Sequence, residues 1–409
     1  MNIEEKYLKT HNFIKNRWDD ALIKESNKDY PLPYPFVPPC TNGLFKVLFY
    51  WDTFYTNRGM ILDNKVQYAL DNVNNLLYLL DKYGYVPNSN SYPGLKNSQP
   101  PYLHFMIEDV YNATKDDEWL KKAYFTLKKE HAFWMKDRIT PIGLNRYYHV
   151  VDTDDENVMF YDYVTTRLDL DKNVSREDKI RIGSSLWCDG ESGLDFSPRF
   201  ALEGANVVEV DLNSILYAME LNLAKWAKMF EPEMENIYLT AAKNRKDLMN
   251  KYLFNKEDGL YYDYNYVRNE IQDKSLRYTA QLFPYIVGIS TDKETCKRVL
   301  EFVEFEYGIA SSTPYESNLS YQAAYPYSWP YDNGIAFWAL TKLGLEEDAK
   351  RVGVKYLNQC ADSYMESGHL WETYNAIEHG VANKKEYANG EMLGWTAGVY
   401  QWVYYYLFK

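Results

Sequence analysis

DNKVQYALDNVNNLLYLLDKYG, residues 63–84, decides how the rest of the chain reads. Val66, Leu70, Val73, Leu77 and Leu80 recur at alternating spacings of four and three, which lays one apolar stripe along a helix; Asp63 is the candidate N-cap and Gly84 the candidate C-cap. The same periodicity recurs at about residues 3–27, 51–61, 101–114, 117–137, 212–230, 233–253, 275–286, 291–304, 332–343, 346–360 and 393–408, twelve helices in all. Several follow one another through short turns such as FEPE (230–233) and KLGLEED (342–348), the signature of paired antiparallel helices. Alternating strand patterns are scarce, with GLYYDYN (259–265) the one candidate strand. The expected fold class is all-α.

No linker rich in Pro, Gly or Ser interrupts these helices, so residues 1–409 are expected to form one domain. One stretch, residues about 139–205, carries few helical signals and reads as a long loop insertion, a feature that is uncommon unless it serves a function. Apolar residues make up 46% of the chain, enough for a large core. A net charge of −13 disfavours nucleic acid and anionic membrane as partners. Cys40, Cys188, Cys296 and Cys360 show neither CxxC spacing nor a disulfide framework. The N-terminal twenty residues are charged throughout and lack a secretion signal's apolar core. The expectation is a cytoplasmic protein, a monomer or small homo-oligomer.

Forty tyrosines and eleven tryptophans are present, and these side chains pair a flat apolar face with a polar edge, as a sugar does. Five stretches outside the helical faces combine them with acids and amides: FYWDTFY (49–55), YVPNSNSYPGLKNSQPP (85–101), ESGLDFSPRF (191–200), AAYPYSWPYDNG (323–334) and LWETYN (370–375). A pocket that cleaves a glycosidic bond needs aromatic platforms, hydrogen-bonding amides and two separately tuned carboxyl groups, and all are available here. The six histidines show no HExxH or similar spacing, so neither metal nor cofactor is expected.

The order of these blocks resembles the trehalase family of inverting α-glycosidases and the related mannosylglycerate and glucosylglycerate hydrolases. It runs YWDTFY (50–55), VPN and SQPP (86–101), ESG-x-DFS-x-RF (191–200), VDLNS (210–214), P-x-x-W (326–329), E-x-YN (372–375) and GWTAGV (394–399). The resemblance implies an (α/α)6 toroid, a small-molecule carbohydrate substrate and hydrolysis with inversion. It places Asp195 on the family's general acid and Glu372 on its general base. Tyr50, Trp51, Asp52, Asn88, Gln99, Arg199, Trp329, Glu386 and Trp395 fall on motif positions that line or adjoin the pocket.

Without that pattern Asp195 reads as a turn residue and Glu372 as an exposed acid. Asp52 reads equally as the N-cap of the helix that follows it. Trp51 and Trp329 fit a core as well as a sugar platform, and Arg199 fits a structural ion pair or an anionic leaving group. The chain also departs from the family: Leu44 and Val47 replace an Arg and a Glu, Asn97 replaces the Arg before SQPP, and Ala323, Ala324 and Ser328 replace Trp, Asp and Gly. These changes point to a disaccharide or glycerate-type solute other than trehalose. True trehalase activity, a non-catalytic sugar-binding protein and a sugar epimerase on the same scaffold are the rival readings.

Overall fold

In the computed structural model, residues 3–41, 43–383 and 390–409 are described. Fourteen α-helices run through them: α1 Ile3–Ala21, α2 Tyr50–Leu62, α3 Val66–Tyr83, α4 Leu103–Thr114, α5 Asp117–Asp137, α6 Asp154–Leu168, α7 Arg176–Glu191, α8 Val210–Phe230, α9 Glu235–Tyr252, α10 Phe283–Ile286, α11 Lys293–Val303, α12 Pro330–Lys342, α13 Glu346–Ser367 and α14 Gly394–Phe408.

Six helices close an inner ring, with α2 against α4, α4 against α8, α8 against α10, α10 against α12, α12 against α14 and α14 back on α2. The outer ring is α1, α3, α5, α9, α11 and α13, most of them packed on an inner partner; this is the (α/α)6 toroid. Sequence separates the layers. Inner helices such as α12 and α14 are apolar around most of their circumference and buried, whereas outer α3 and α11 carry one buried stripe. The ring closes where α14 crosses α2 on glycine: a Cβ on Gly398 would stand 2.0 Å from the Tyr55 carbonyl oxygen, and one on Gly59 would stand 2.6 Å from the Gly398 Cα.

Two local expectations about helices are corrected first. The helix of residues 63–84 starts at Val66 with Lys65 at its N-cap, and Asp63 instead ends α2. Its buried carboxylate accepts hydrogen bonds from Trp18 Nε1 (2.7 Å), Gln401 Nε2 (2.6 Å) and the Tyr405 hydroxyl (3.1 Å), tying α1, α2 and α14 together. Gly84, as expected, closes the other end in the left-handed conformation at φ +80°. In 275–286 only a 3-10 turn at 279–282 and the single turn α10 form, because extended Tyr278 pairs with Ser312 and its hydroxyl is held by Asp263.

The largest correction concerns 139–205, which holds two helices, α6 and α7, packed on each other. They share an apolar cluster of their own, including Tyr161, Val164, Leu168, Ile182 and Leu186, which Phe196 and Tyr321 complete. GLYYDYN forms two very short strands, Leu260–Tyr261 and Tyr264–Asn265, rather than one. No helix among the described residues is long and apolar enough to cross a membrane.

Candidate active site

A cavity of about 650 Å³ opens where inner helices α2, α12 and α14 begin. Trp51 and Asp52 ride the first turn of α2, Trp395 the first turn of α14, and Trp329 caps α12. Gln99 precedes α4, Asp195 lies between α7 and α8, and Glu372 between α13 and α14. All seven line the cavity, as does Asn88.

The floor is aromatic. Trp51 lies with its ring centroid 4.8 Å from Tyr331 and 5.9 Å from Trp395, the latter edge-on, and Trp329 stacks on Tyr331 at 5.9 Å. Gly193 makes room for the Trp51 indole: its φ is +76°, and a Cβ there would come within 2.6 Å of Trp51 Cε2. Gln99 Oε1 accepts the Trp51 backbone N–H (3.0 Å), one of the donors left open where a helix starts. Trp329 Nε1 donates to the Gln322 carbonyl (2.9 Å), and the Gln322 side-chain amide donates to the Asp195 carbonyl, so Trp329 and the Asp195 loop are joined through one residue.

Three carboxyl groups face this space. Asp195 opens onto the cavity with 39% of its side chain exposed, yet burial pushes its pKa up; Arg167, with Nη2 3.9 Å from Oδ2, pulls it down, and Glu372 adds to the rise. Asp52 is pushed up to about 8, first by burial, against its own backbone N–H, with further increments from Glu372 and Asp195. It is the third residue of α2 behind Phe49 at the N-cap, so the capping role is ruled out. Beneath the Asp195 loop lies fully buried Asp189, whose carboxyl is held well above the ordinary range by burial and then by the charge of Asp195.

The loop that carries Asp195 is anchored by buried ions. Arg199 pairs with Asp263 through Nε (2.7 Å) and Nη2 (2.9 Å) and with Asp211 through Nη2 (2.5 Å), all with side chains at most 6% exposed. Arg199 is therefore a structural anchor and not part of the cavity wall; its guanidinium is committed to two carboxylates. Glu191, at the head of the loop, takes a two-point contact from Arg138 (2.8 Å each) and the backbone N–H groups of Ser98 (2.8 Å) and Tyr148 (2.7 Å). Tyr50 is also corrected: its hydroxyl donates to Glu130 (2.6 Å) and accepts from the Leu103 N–H (2.9 Å) within the ring, because one step along α2 turns it away from Trp51's face. Glu386 lies outside the described residues.

Main-chain pairing ties in the loop that carries Glu372. The Glu372 N–H donates to the Gly390 carbonyl (3.2 Å), and the strand pair Tyr327–Ser328 with Tyr374–Asn375 ties its loop to the segment ahead of Trp329. The Trp371 N–H donates to the Tyr374 hydroxyl (3.1 Å), and Thr396 on α14 donates to the Trp371 carbonyl (2.9 Å).

Sequence reasoning missed several wall residues. Arg167, Phe160, Tyr163 and Trp187 come from α6 and α7, in the stretch that reads as irregular. Tyr331 and Gln322 lie in or beside the block at 323–334, where nothing in the pattern singles them out. Thr153, whose side chain accepts the Glu156 N–H, and Ser175, which accepts the Asp178 N–H, are the signal that α6 and α7 offer: T-x-x-E and S-x-x-D mark helix starts. Among the described residues no group of three or more His, Cys, Asp or Glu side chains is placed to hold a metal ion.

Comparison with known proteins agrees with this architecture. The trehalase family model matches residues 5–406. A trehalase of Bombyx mori is 27% identical over 409 residues, covering 92% of this chain and 69% of that protein. A periplasmic trehalase of Xanthomonas oryzae pv. oryzae is 27% identical over 396 residues, covering 90% and 67%. Neutral trehalase Nth1 from Saccharomyces cerevisiae shares the fold with a TM-score of 0.73 at 21% identity, covering 97% of this chain and 79% of that one. A GH63 mannosylglycerate hydrolase from Thermus thermophilus, solved with Tris and D-glycerate, shares it with a TM-score of 0.62 at 17% identity, covering 98% and 100%. With the family model spanning nearly its whole length, the chain belongs to the trehalase family of glycoside hydrolases.

Proposed function

We propose that the protein hydrolyses the α-glycosidic bond of a small glucoside or mannoside with inversion, using Asp195 as general acid and Glu372 as general base. One observation carries the reading: two acids far apart in the chain border one cavity, and the first has its pKa raised by burial. Protonated Asp195 gives its proton to the glycosidic oxygen as the bond to the anomeric carbon breaks. Glu372 takes a proton from the water that attacks the opposite ring face, so the new hydroxyl has inverted configuration. Asp52, protonated near neutral pH, donates to a sugar hydroxyl, and Asn88 adds an amide. The Trp51, Tyr331 and Trp395 rings supply the apolar floor.

NMR of the sugar released from a methyl α-glycoside during turnover tests this: the β anomer appears first, and first appearance of the α anomer overturns inversion. A second reading, trehalose as the substrate, is favoured by the names of the relatives above, whereas the departures at Leu44, Asn97 and Ala323, all on the cavity wall, favour another leaving group. Assay of trehalose beside other α-disaccharides and glycerate glycosides separates the two. Four free, buried cysteines support a cytoplasmic location, which cell fractionation tests.

A further inference from the structure

The general acid marks the side of the cavity where the leaving group lies, because its proton goes to the departing oxygen. Around Asp195 the wall is built mainly by α6 and α7. Phe160 stacks on Trp187 with centroids 3.6 Å apart and planes within 12°, and Tyr163 extends the same face at 6.2 Å from Phe160. Phe196, next to Asp195 in sequence, packs 6.3 Å from Phe160. Tyr163 is 66% exposed at the rim, with the Arg167 guanidinium 6.0 Å from its ring centroid.

Few polar groups reach this face: Trp187 Nε1 and Gln322 Oε1 are buried without a hydrogen-bond partner among the described residues, the Arg167 guanidinium beside Asp195 lies over the Phe196 ring (5.0 Å) and the Tyr163 ring (6.0 Å), and others hold the wall. The Asn97 side chain donates to the Trp187 carbonyl (3.3 Å), Ser89 and Ser91 bond each other through their hydroxyls (2.8 Å), and the Gln322 amide donates to the Asp195 carbonyl. A second sugar presents a hydroxyl on almost every carbon, and each one buried without a partner is costly. The other side of the cavity, with Asp52 and Asn88, has the polar character a sugar requires.

We infer that the Phe160, Tyr163, Trp187 and Phe196 face forms a leaving-group subsite for a flat, apolar aglycone, an aryl or arylalkyl α-glycoside, in preference to a second sugar. The inference rests on the hydrolase reading, since Asp195 as acid orients the substrate. Benzyl and methyl α-glucosides and α-mannosides, with trehalose alongside, test it; benzyl and methyl leaving groups differ little in basicity, so the comparison reports recognition. The benzyl compound of the accepted sugar is expected to show kcat/KM about tenfold or more above both the methyl compound and trehalose, the advantage of burying one aromatic ring. Tyr163→Ala and Phe160→Ala bring the benzyl-to-methyl ratio down toward one. Trehalose cleaved as well as the benzyl glycoside, or a ratio unmoved by both variants, overturns the inference. Absence of turnover on every glycoside sinks the hydrolase reading instead. The subsite is then judged by calorimetry with benzyl and methyl 1-thio-α-glucosides and 1-thio-α-mannosides: tighter binding of a benzyl form sustains it, and equal affinities reject it.

Discussion

On one side of the cavity Asp195 hangs from a loop whose anchors are buried ions, Arg199 on Asp263 and Asp211 and Arg138 on Glu191; on the other, Glu372 hangs from a loop stitched by backbone hydrogen bonds and one short strand pair. The difference fits the two tasks. A carboxyl that must stay protonated needs a defined electrostatic surrounding, and fixed buried charges provide one at the cost of desolvation. On the Glu372 side, the strand pair and the Glu372 N–H on the Gly390 carbonyl orient the loop that carries the base.

The largest expected effect falls on both walls alike. Asp195→Asn and Glu372→Gln each lower kcat on the order of a thousandfold or more, with far-UV circular dichroism unchanged. An equal loss with altered circular dichroism would mean that the acids support the fold rather than the reaction.

The second effect separates the walls. Arg199→Ala leaves buried Asp263 and Asp211 without their cation and is expected to cost about 3–5 kcal/mol in urea unfolding. Tyr374→Phe, on the Glu372 side, removes one acceptor from the Trp371 N–H and is expected to cost about 1–2 kcal/mol. Equal costs would erase the distinction between ionic anchoring and anchoring by neutral hydrogen bonds.

Acidity sharpens it further. Asp195 acts in its protonated form, so activity is lost as pH rises through its elevated pKa. Arg167 opposes that elevation, and Arg167→Gln therefore moves the alkaline limb of kcat/KM to higher pH. A limb that stays in place removes Arg167 from the electrostatics of the acid.

The smallest effect concerns Asp52. Its folded pKa of about 8 lies above the unfolded value, so the folded state binds the extra proton and stability is lost as pH climbs from about 4 to 8. Asp52→Asn removes this loss. Its Tm is expected to exceed the parent's by about 1–3 °C at pH 8 and by much less near pH 4.5. A difference independent of pH would contradict the raised pKa.

How far these walls are legible in the sequence follows from the same physics. Outer helices such as α3 announce themselves because one stripe alone is apolar, and the motif blocks mark where inner helices begin. The pair α6 and α7 is hidden because its buried faces include Asn157, Thr165, Gly183, Ser185, Asp189 and Glu191, which break apolar periodicity. Side-chain direction is not legible either. Tyr50, Trp51 and Asp52 are consecutive, yet the first reaches into the ring and the next two line the cavity. Arg199 lies within the acid's own motif, but its partners Asp211 and Asp263 reach it only through the tertiary fold.

The α6 and α7 pair brings a miniature core of its own to the mouth of the toroid. A lineage that trims, lengthens or replaces this hairpin alters what can approach the acid while leaving the twelve-helix scaffold intact. In a chimera with another member of the family, it is the natural unit of exchange.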